Sequence, residues 1–205
     1  MNSSMNRKEF VVCLPLIPWV IPGVLKGLSP ERNKLTELIG LGNSGYWMAE
    51  GVKELGFTGI VKSVQMPERN IIMGDAVKDG LVENKELRAE VLSAIRKTTQ
   101  QDRHFIFIGG LGGRRTNYLI ANTYAEMKKS NCSYQFILTS PFKFEGHAKN
   151  ERANKLTLAM DNDPRVHIIQ LEEFKKIYGG SETLSNVFIK HIPETINKII
   201  QKTSQ

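Results

Sequence analysis

The sequence predicts an α/β domain with a three-layer architecture, in which a mainly parallel sheet carries helices on both faces. Short apolar runs alternate along the chain with longer amphipathic stretches, and strands separated by helices of this length pair in parallel. Two of the apolar runs lead into glycine-rich turns, which are typical of strand-to-helix connections. The chain has 205 residues, of which 40% are hydrophobic and 24% charged, so it can bury a core without disulfides or a metal.

The predicted strands are short, apolar and bounded by glycine or polar residues. The first, LTELIG, ends in a glycine turn, and HFIFI is a buried strand that runs into GGLGG. The predicted strands cover residues 35–40, 59–65, 70–74, 104–108, 134–140 and 166–171.

The predicted helices have apolar side chains at helical spacing. The first ends at Gly56, since glycine commonly stops a helix, and the second places Leu87, Val91, Leu92 and Ile95 on one side. The predicted helices cover residues 46–56, 84–99, 117–129, 151–160 and 184–201.

The first 30 residues are predicted to form a separate apolar arm that contains prolines, ahead of a domain at 31–205. Residues 10–28, FVVCLPLIPWVIPGVLKGL, are too short for a spanning helix and are interrupted by Pro15, Pro18 and Pro22. No small-residue cleavage site follows, so a signal peptide is not predicted. We expect the arm to pack on the domain or on a partner, with contact to a membrane surface as the alternative.

The charge balance favours a basic, solvated surface. Lys+Arg 28 against Asp+Glu 21 gives a net charge of +7, but the cations are scattered. The aromatic residues lack the pattern of an RNA-binding module, so no nucleic acid is expected as a partner. Cys13 and Cys132 cannot build a disulfide framework, which favours a reducing compartment, the cytoplasm.

Metal and thiol chemistry are not predicted. Cys132 has no His/Asp constellation that can be placed beside it, so no catalytic residue is assigned. The four histidines lack metal-ligand spacing and are expected to be structural or on the surface: His104, His147, His167 and His191.

The first glycine-rich turn, GLGNSG, fits the pattern G-x-G-x-x-G with Gly40, Gly42 and Gly45. Glycine permits a positive-φ turn and close backbone approach, and the following helix then presents free N–H groups to a phosphate. Asn43 and Ser44 complete this predicted phosphate site.

The second glycine-rich turn, GGLGGRRTN, is predicted to be an anion nest between a strand and a helix. Its two arginines are able to neutralise phosphate charge. Gly112→Val is expected to abolish ligand binding and to leave the fold intact. The residues predicted to contact the ligand are Gly109, Gly110, Gly112, Gly113, Arg114, Arg115 and Thr116.

Other interpretations of the two turns stay open from the residues alone. The first is also compatible with a tight turn that binds nothing. A dinucleotide site would need an acidic residue at the end of the second strand, where Gln65 and Met66 stand, with Glu68 already beyond it. The second turn lacks the P-loop pattern G-x-x-x-x-G-K-[ST], which excludes a Walker-type site.

The order of elements and several motifs resemble the nucleotide-binding domain of the FtsZ/tubulin superfamily. IGLGNSG resembles the first glycine-rich turn of bacterial FtsZ, IIMGDAVKDGL resembles its IxIG…TKGLG segment, and GGLGGRRTN resembles its signature GGGTGTG. TSPFKFEG is the most specific match, to TKPFxFEG, and the similarity continues through VHIIQL to TLSNVF. The resemblance covers residues 35–200 and implies a Rossmann-like GTPase-domain fold.

The resemblance also implies ligands, partners and further site residues. GTP or GDP, with Mg²⁺, is the implied cofactor, and Glu145 matches the glutamate that contacts the ribose in the family. Lys149 stands where the family usually has an arginine. The implied partners are another copy of the chain or an FtsZ-like polymer.

Several departures from the family predict a degenerate site. Arg114 and Arg115 replace small residues near the γ-phosphate, where they are expected to fill the pocket, with added charge contacts to the phosphates as the alternative. Trp47 lies near the place of an asparagine that contacts guanine in the family. The family's AND, which also reads guanine, is replaced by HIP at 191–193.

In the family, hydrolysis is completed by acidic residues of a loop that follows the central helix. The chain ends at Gln205, where that helix is expected to end, so neither this loop nor the second domain is expected. We therefore predict a protein of cytoskeletal or cell-division type that binds nucleotide weakly or not at all, acts through protein contacts and is inactive as a GTPase alone. The alternatives are a true GTP-binding protein whose hydrolysis a partner completes, and a Rossmann-like dinucleotide enzyme.

Overall fold

The computed structural model describes residues 35–64, 77–78, 81–82, 89, 92–93, 96, 103–178, 183 and 186–203. The predicted N-terminal arm at 1–30, the predicted strand at 70–74 and most of the predicted helix 84–99 lie outside these residues. The four described positions between 89 and 96 are helical, as the sequence predicts.

A five-stranded sheet, parallel throughout, forms the middle layer. Its strands lie in the order β2–β1–β5–β6–β7. They are β1 (Thr36–Leu41), β2 (Ile60–Val64), β5 (His104–Gly110), β6 (Ser133–Ser140) and β7 (Val166–Gln170). A separate antiparallel pair, which the sequence did not predict, joins β3 (Val77–Lys78) to β4 (Leu81–Val82).

The helices are α1 (Gly42–Glu54), α2 (Arg114–Lys129), α3 (His147–Ala159), α4 (Leu171–Tyr178) and α5 (Ile192–Thr203). A 3₁₀ turn (Lys143–Glu145) precedes α3 and a π-helical turn (Val187–His191) precedes α5. The helices α1, α2 and α3 begin three or four residues before their predicted starts, because their first turns carry no apolar periodicity. The helix α4 was not predicted from the sequence.

Side chains of each strand alternate between two apolar cores, one on each face of the sheet. Phe105 and Phe107 of β5 lie in the core covered by α2 and α3, whereas Ile106 and Ile108 lie in the core covered by α1 and α5. Buried parallel strands require apolar residues on both faces, and the sheet core satisfies this with fully buried side chains. The predicted three-layer α/β fold is therefore confirmed.

The strand order places a topological switch point between β1 and β5. The chain leaves β1 through α1 to β2 on one side, and β5 pairs with β1 on the other side and leads into α2. The helices α1 and α2 lie on opposite faces, so their N-termini flank the carboxyl ends of these two strands. This crevice is where ligands bind in open α/β sheets. Among the helices of the described ranges, none is long and apolar enough to cross a membrane.

Candidate functional site

A cavity of about 390 Å³ lies at the carboxyl ends of the central strands. Its volume falls in the range of roughly 300–1,000 Å³ that is common for small-molecule sites. The connection from β1 to α1 contributes Gly42, Asn43 and Ser44 to the lining. The connection from β5 into α2 contributes Gly110, Leu111, Gly113, Arg115, Thr116 and Leu119.

The first glycine turn combines packing with a positive-φ entry into α1. A Cβ at Gly40 would lie 2.6 Å from the backbone of Gly45, and a Cβ at Gly45 would lie 2.4 Å from the carbonyl oxygen of Ile108. These two glycines therefore let α1 approach the sheet, and neither lines the cavity. Gly42 has φ +71°, and a Cβ there would lie 2.8 Å from the Oγ1 of Thr116, so the two turns touch each other.

The second glycine turn is fixed by hydrogen bonds from α2 and α3. Asn117 Oδ1 accepts from the backbone N–H of Gly112 at 2.7 Å, and Asn117 Nδ2 donates to the carbonyl oxygen of Arg152 at 3.0 Å. Arg152 Nε in turn donates to the carbonyl oxygen of Gly112 at 2.9 Å. These bonds join the turn to α2 and α3, so groups of the protein itself hold it in place.

Gly112 has a structural requirement that the sequence did not predict. Its φ is +92°, and a Cβ there would lie 2.6 Å from the backbone oxygen of Lys149. The expectation that Gly112→Val leaves the fold intact is therefore wrong, since a backbone atom of α3 cannot yield as a flexible side chain does. Gly112 itself does not line the cavity.

Two uncapped helix N-termini face the cavity. Leu41 precedes α1 and Gly113 precedes α2, and neither provides a side-chain cap; neither helix has an acidic residue in its first turn. The first N–H groups of a helix have no partner inside the helix and carry the positive end of its dipole. The arrangement can therefore accept an anion from two sides.

Among the described residues, the charged side chains that line the cavity are two cations and one carboxylate, which is already paired. Arg115 and Lys149 line it, and Glu145 does so beside Lys149, with which it forms an ion pair. The other oxygen of Glu145, Oε1, accepts from the backbone N–H of Phe142 at 2.8 Å. Arg114 is exposed and does not line the cavity. Of the two arginines, Arg115 alone is among the described lining residues.

Hydroxyl groups at the end of β6 were not predicted as site residues. Thr139 is 3% exposed and lines the cavity, and its hydroxyl has no hydrogen-bond partner among the described residues. This hydroxyl can therefore donate to or accept from a ligand in the cavity. Ser140 lies beside it. Its Oγ donates to Gln170 Oε1 at 2.8 Å and accepts from the N–H of Leu171 at 3.3 Å.

The structure thus brings together most of the predicted site residues and adds others. Those that line the cavity are Gly42, Asn43, Ser44, Gly110, Gly113, Arg115, Thr116, Glu145 and Lys149. Those that do not are Gly40, Gly45, Gly109, Gly112 and Arg114. The lining residues that the sequence did not predict are Leu111, Leu119, Thr139, Ser140, Pro141, Leu171 and Phe188. The carboxyl end of β6, in TSPFKFEG, would have indicated Thr139, Ser140 and Pro141.

Residues 191–193 do not reach the cavity. Ile192 and Pro193 are buried. The ring of Pro193 packs against Gly51 of α1, where an added Cβ would lie 2.6 Å from the ring. Trp47 is 69% exposed, packs edge-to-face on Tyr46 and does not line the cavity.

A cluster of one buried carboxylate and two cations lies near the amino ends of the strands, at the edge of the sheet opposite the cavity. Glu37 of β1 is fully buried, and its Oε2 lies 2.8 Å from the Nζ of Lys62. Its Oε1 forms an ion pair with Arg103. Burial lowers the pKa of Lys62 below its ordinary value. The cluster joins β1 to β2 and to the residue before β5, so its role is structural.

A second ionic cluster lies between α3 and β7. Arg165 donates to both carboxylate oxygens of Asp163, each at 2.8 Å, and Tyr124 donates to it at 3.0 Å. The Arg165 hydrogen bonds lower the pKa of Asp163 to about 2. Burial, followed by the hydrogen bond to Asp163, raises the pKa of Tyr124 to about 12. Within the described ranges, no group of His, Cys, Asp or Glu side chains is arranged to hold a metal.

The chain is similar in fold to FtsZ/tubulin-type proteins. It superposes on the structure of an empty FtsZ dimer from M. jannaschii with a TM-score of 0.64 and 16% identity, over 85% of this chain and 59% of that one. It superposes on CetZ2 from Haloferax volcanii, as a GTPγS-bound protofilament, with a TM-score of 0.60 and 17% identity, over 80% of this chain and 56% of that one. The resemblance of the sequence to this fold is confirmed.

These comparisons establish the fold and not the activity. No protein-family model and no curated protein matches the sequence. The chain spans less than two thirds of the length of either structure.

Proposed function

We propose that this domain binds the phosphate groups of a nucleotide, GTP or GDP, in the cavity at its switch point, and that it acts through protein contacts. The observation that carries the proposal is the convergence of two uncapped helix N-termini with Arg115 and Lys149 on one cavity. Helix N-terminal N–H groups and cations both favour a polyanionic ligand.

The similar structures support the second part of the proposal. The FtsZ structure is that of a dimer and the CetZ2 structure is that of a GTPγS-bound protofilament. We extend self-association, or association with an FtsZ-like polymer, to this chain on the strength of the shared fold. The proposed role is cytoskeletal and cytoplasmic, as a modulator of such a polymer.

The cavity supports binding better than hydrolysis. Among the described lining residues, Glu145 supplies the carboxylate, and both of its oxygens are engaged by Phe142 and Lys149. A hydrolase needs a group that orients and activates water beside the γ-phosphate. The second candidate function, a GTP-binding protein whose hydrolysis a partner subunit completes, has the protofilament arrangement of CetZ2 in its favour.

Thermal unfolding with GDP and GTP, with and without Mg²⁺, tests the proposal. A ligand that binds only the native state adds about 2.7 kcal/mol at 100 times its dissociation constant, which corresponds to roughly 5–10 °C for a domain of this size. Arg115→Ala should reduce the shift, and Arg114→Ala is the matched control, since Arg114 does not line the cavity. An unfolding temperature that neither GDP nor GTP raises, with or without Mg²⁺, would contradict the proposal.

A further inference from the structure

The cavity has two chemically different ends. Asn43, Ser44, Arg115 and Thr116 stand at one end, between β1 and β5, where Gly42 meets Thr116. This end holds the two helix N-termini and a guanidinium. Its groups suit the oxygen atoms of phosphate, whatever nucleoside carries them.

The other end lies beyond β6 and β7 and is apolar. Pro141 follows β6, Leu171 follows β7, and both line the cavity. Phe188 also lines it and packs edge-on against Phe142, with ring centroids 6.2 Å apart. Such a wall can cover the flat face of any base without contacting its hydrogen-bonding edge.

The polar side chains closest to the apolar end are engaged within the protein. Ser140 gives its proton to Gln170 and accepts from the N–H of Leu171. Both oxygens of Glu145 are engaged, one by Phe142 and one by Lys149. Within the described part of the lining, the apolar end therefore presents no uncommitted side chain that could read a base edge.

The uncommitted polar groups lie toward the phosphate end. Thr139 lines the cavity, and its hydroxyl has no partner among the described residues. It pairs with Gly110 in the sheet. A Cβ at Gly110 would in turn lie 2.7 Å from the Oγ of Ser44, which stands at the N-terminus of α1. The hydroxyl of Thr139 is therefore placed for phosphate.

We infer that the cavity recognises its ligand by the phosphate groups and does not discriminate between guanine and adenine. This inference rests on the proposed function and specifies its ligand class as nucleoside diphosphates in general. A site that hydrogen-bonds a group of its substrate prefers that substrate over an analogue without the group by about 10⁴-fold or more. An apolar pocket prefers one of two compounds that differ by an added group by only roughly 10–200-fold. An apolar wall that meets only the faces of two purines should separate them by less.

Calorimetric titration of GDP, ADP and inorganic pyrophosphate into the full chain tests the inference. We expect the dissociation constants of GDP and ADP to agree within tenfold and pyrophosphate to bind measurably. Either nucleotide binding more than tenfold tighter than the other would overturn the inference and leave the proposed function standing. Failure of all three to bind would overturn the proposed function, and the inference with it.

Two variants assign the ends of the cavity. Arg115→Ala should weaken GDP, ADP and pyrophosphate alike, by about tenfold, since one charge-assisted bond is worth roughly 1.5 kcal/mol or more. Phe188→Ala should weaken GDP and ADP by one common factor and leave pyrophosphate unchanged, with Phe188→Leu as the substitute where the alanine variant does not fold. Unequal effects of the Phe188 change on GDP and ADP would overturn the inference.

Discussion

Replacing Gly42 by alanine should cost stability and phosphate binding together, because this residue joins the two turns of the cavity. Gly42 is the first residue of α1, has φ +71° and lines the cavity. A Cβ there would lie 2.8 Å from the Oγ1 of Thr116 and 3.2 Å from its Cγ2. The added methyl group would therefore push the first turn of α2 away from that of α1.

The magnitude has two parts. A non-glycine residue in the left-handed region costs about 1–2 kcal/mol. Overpacking against Thr116 adds about 1–3 kcal/mol, because either that side chain or the helix start must shift. The free energy of unfolding should thus fall by about 2–5 kcal/mol for Gly42→Ala.

Gly56→Ala is the matched control. Gly56 also has a positive φ, +93°, but a Cβ there would meet nothing within 4 Å, and it does not line the cavity. It should lose only about 1–2 kcal/mol and bind pyrophosphate like the wild type. Urea unfolding gives the stabilities and calorimetry gives the binding. Equal stability of the two variants, with unchanged pyrophosphate binding, would refute the contact between the turns.

Three further predictions concern the ionic clusters and catalysis. Glu37→Gln should lower the free energy of unfolding by about 2–3 kcal/mol, less than the roughly 3–5 kcal/mol that breaking a buried ion pair typically costs. The loss is smaller because Lys62 and Arg103 are partly exposed and can be hydrated. A urea midpoint equal to that of the wild type would contradict this prediction. The pKa of Asp163 is lowered from its ordinary 3.8 to about 2 in the folded protein, so the ionised carboxylate should add about 2 kcal/mol to the free energy of unfolding. This stabilisation should be fully present above about pH 4 and should be lost as the pH falls through 2. The stability gap between wild type and Asp163→Asn, measured by urea unfolding at several pH values, should close over that interval, and a gap independent of pH would count against the cluster. The purified chain should release phosphate from GTP no faster than background, and release that scales with protein concentration through further purification would disprove this.

The fold could be predicted from the sequence because its signals are local. Alternating apolar runs such as HFIFI give the strands and their burial on both faces, and glycines after β1 and β5 mark the carboxyl edge. Helix starts could not be placed well, since α1 begins inside GLGNSG, where no apolar residue sets a helical period. The helix α4 was missed because its eight residues directly follow β7 without an intervening turn signal.

Most of the residues predicted for the site line one cavity, and those that do not are explained by tertiary packing. Gly40, Gly45 and Gly112 are glycines because backbone or helix atoms stand within 3 Å of a Cβ, a requirement that a turn motif cannot distinguish from ligand binding. Thr139 stands at the carboxyl end of β6, where the strand pattern could have indicated it, whereas Phe188 lines the cavity from the turn before α5, which no sequence spacing shows. The direction of Arg114 and Arg115 likewise depends on where α2 begins, at Arg114 itself.

The central claim is that phosphate binds between the N-termini of α1 and α2, and backbone amide NMR of the isotopically labelled full chain tests it most directly. Titration with GDP should shift the amide signals of residues 42–44 and 113–116 most, because these residues form the starts of α1 and α2 beside the cavity, where the first N–H groups of a helix lack partners inside it. The signals of the Glu37 cluster, at the opposite edge of the sheet, should stay in place. Shifts concentrated away from both turns, or no shift at millimolar GDP, would contradict the claim.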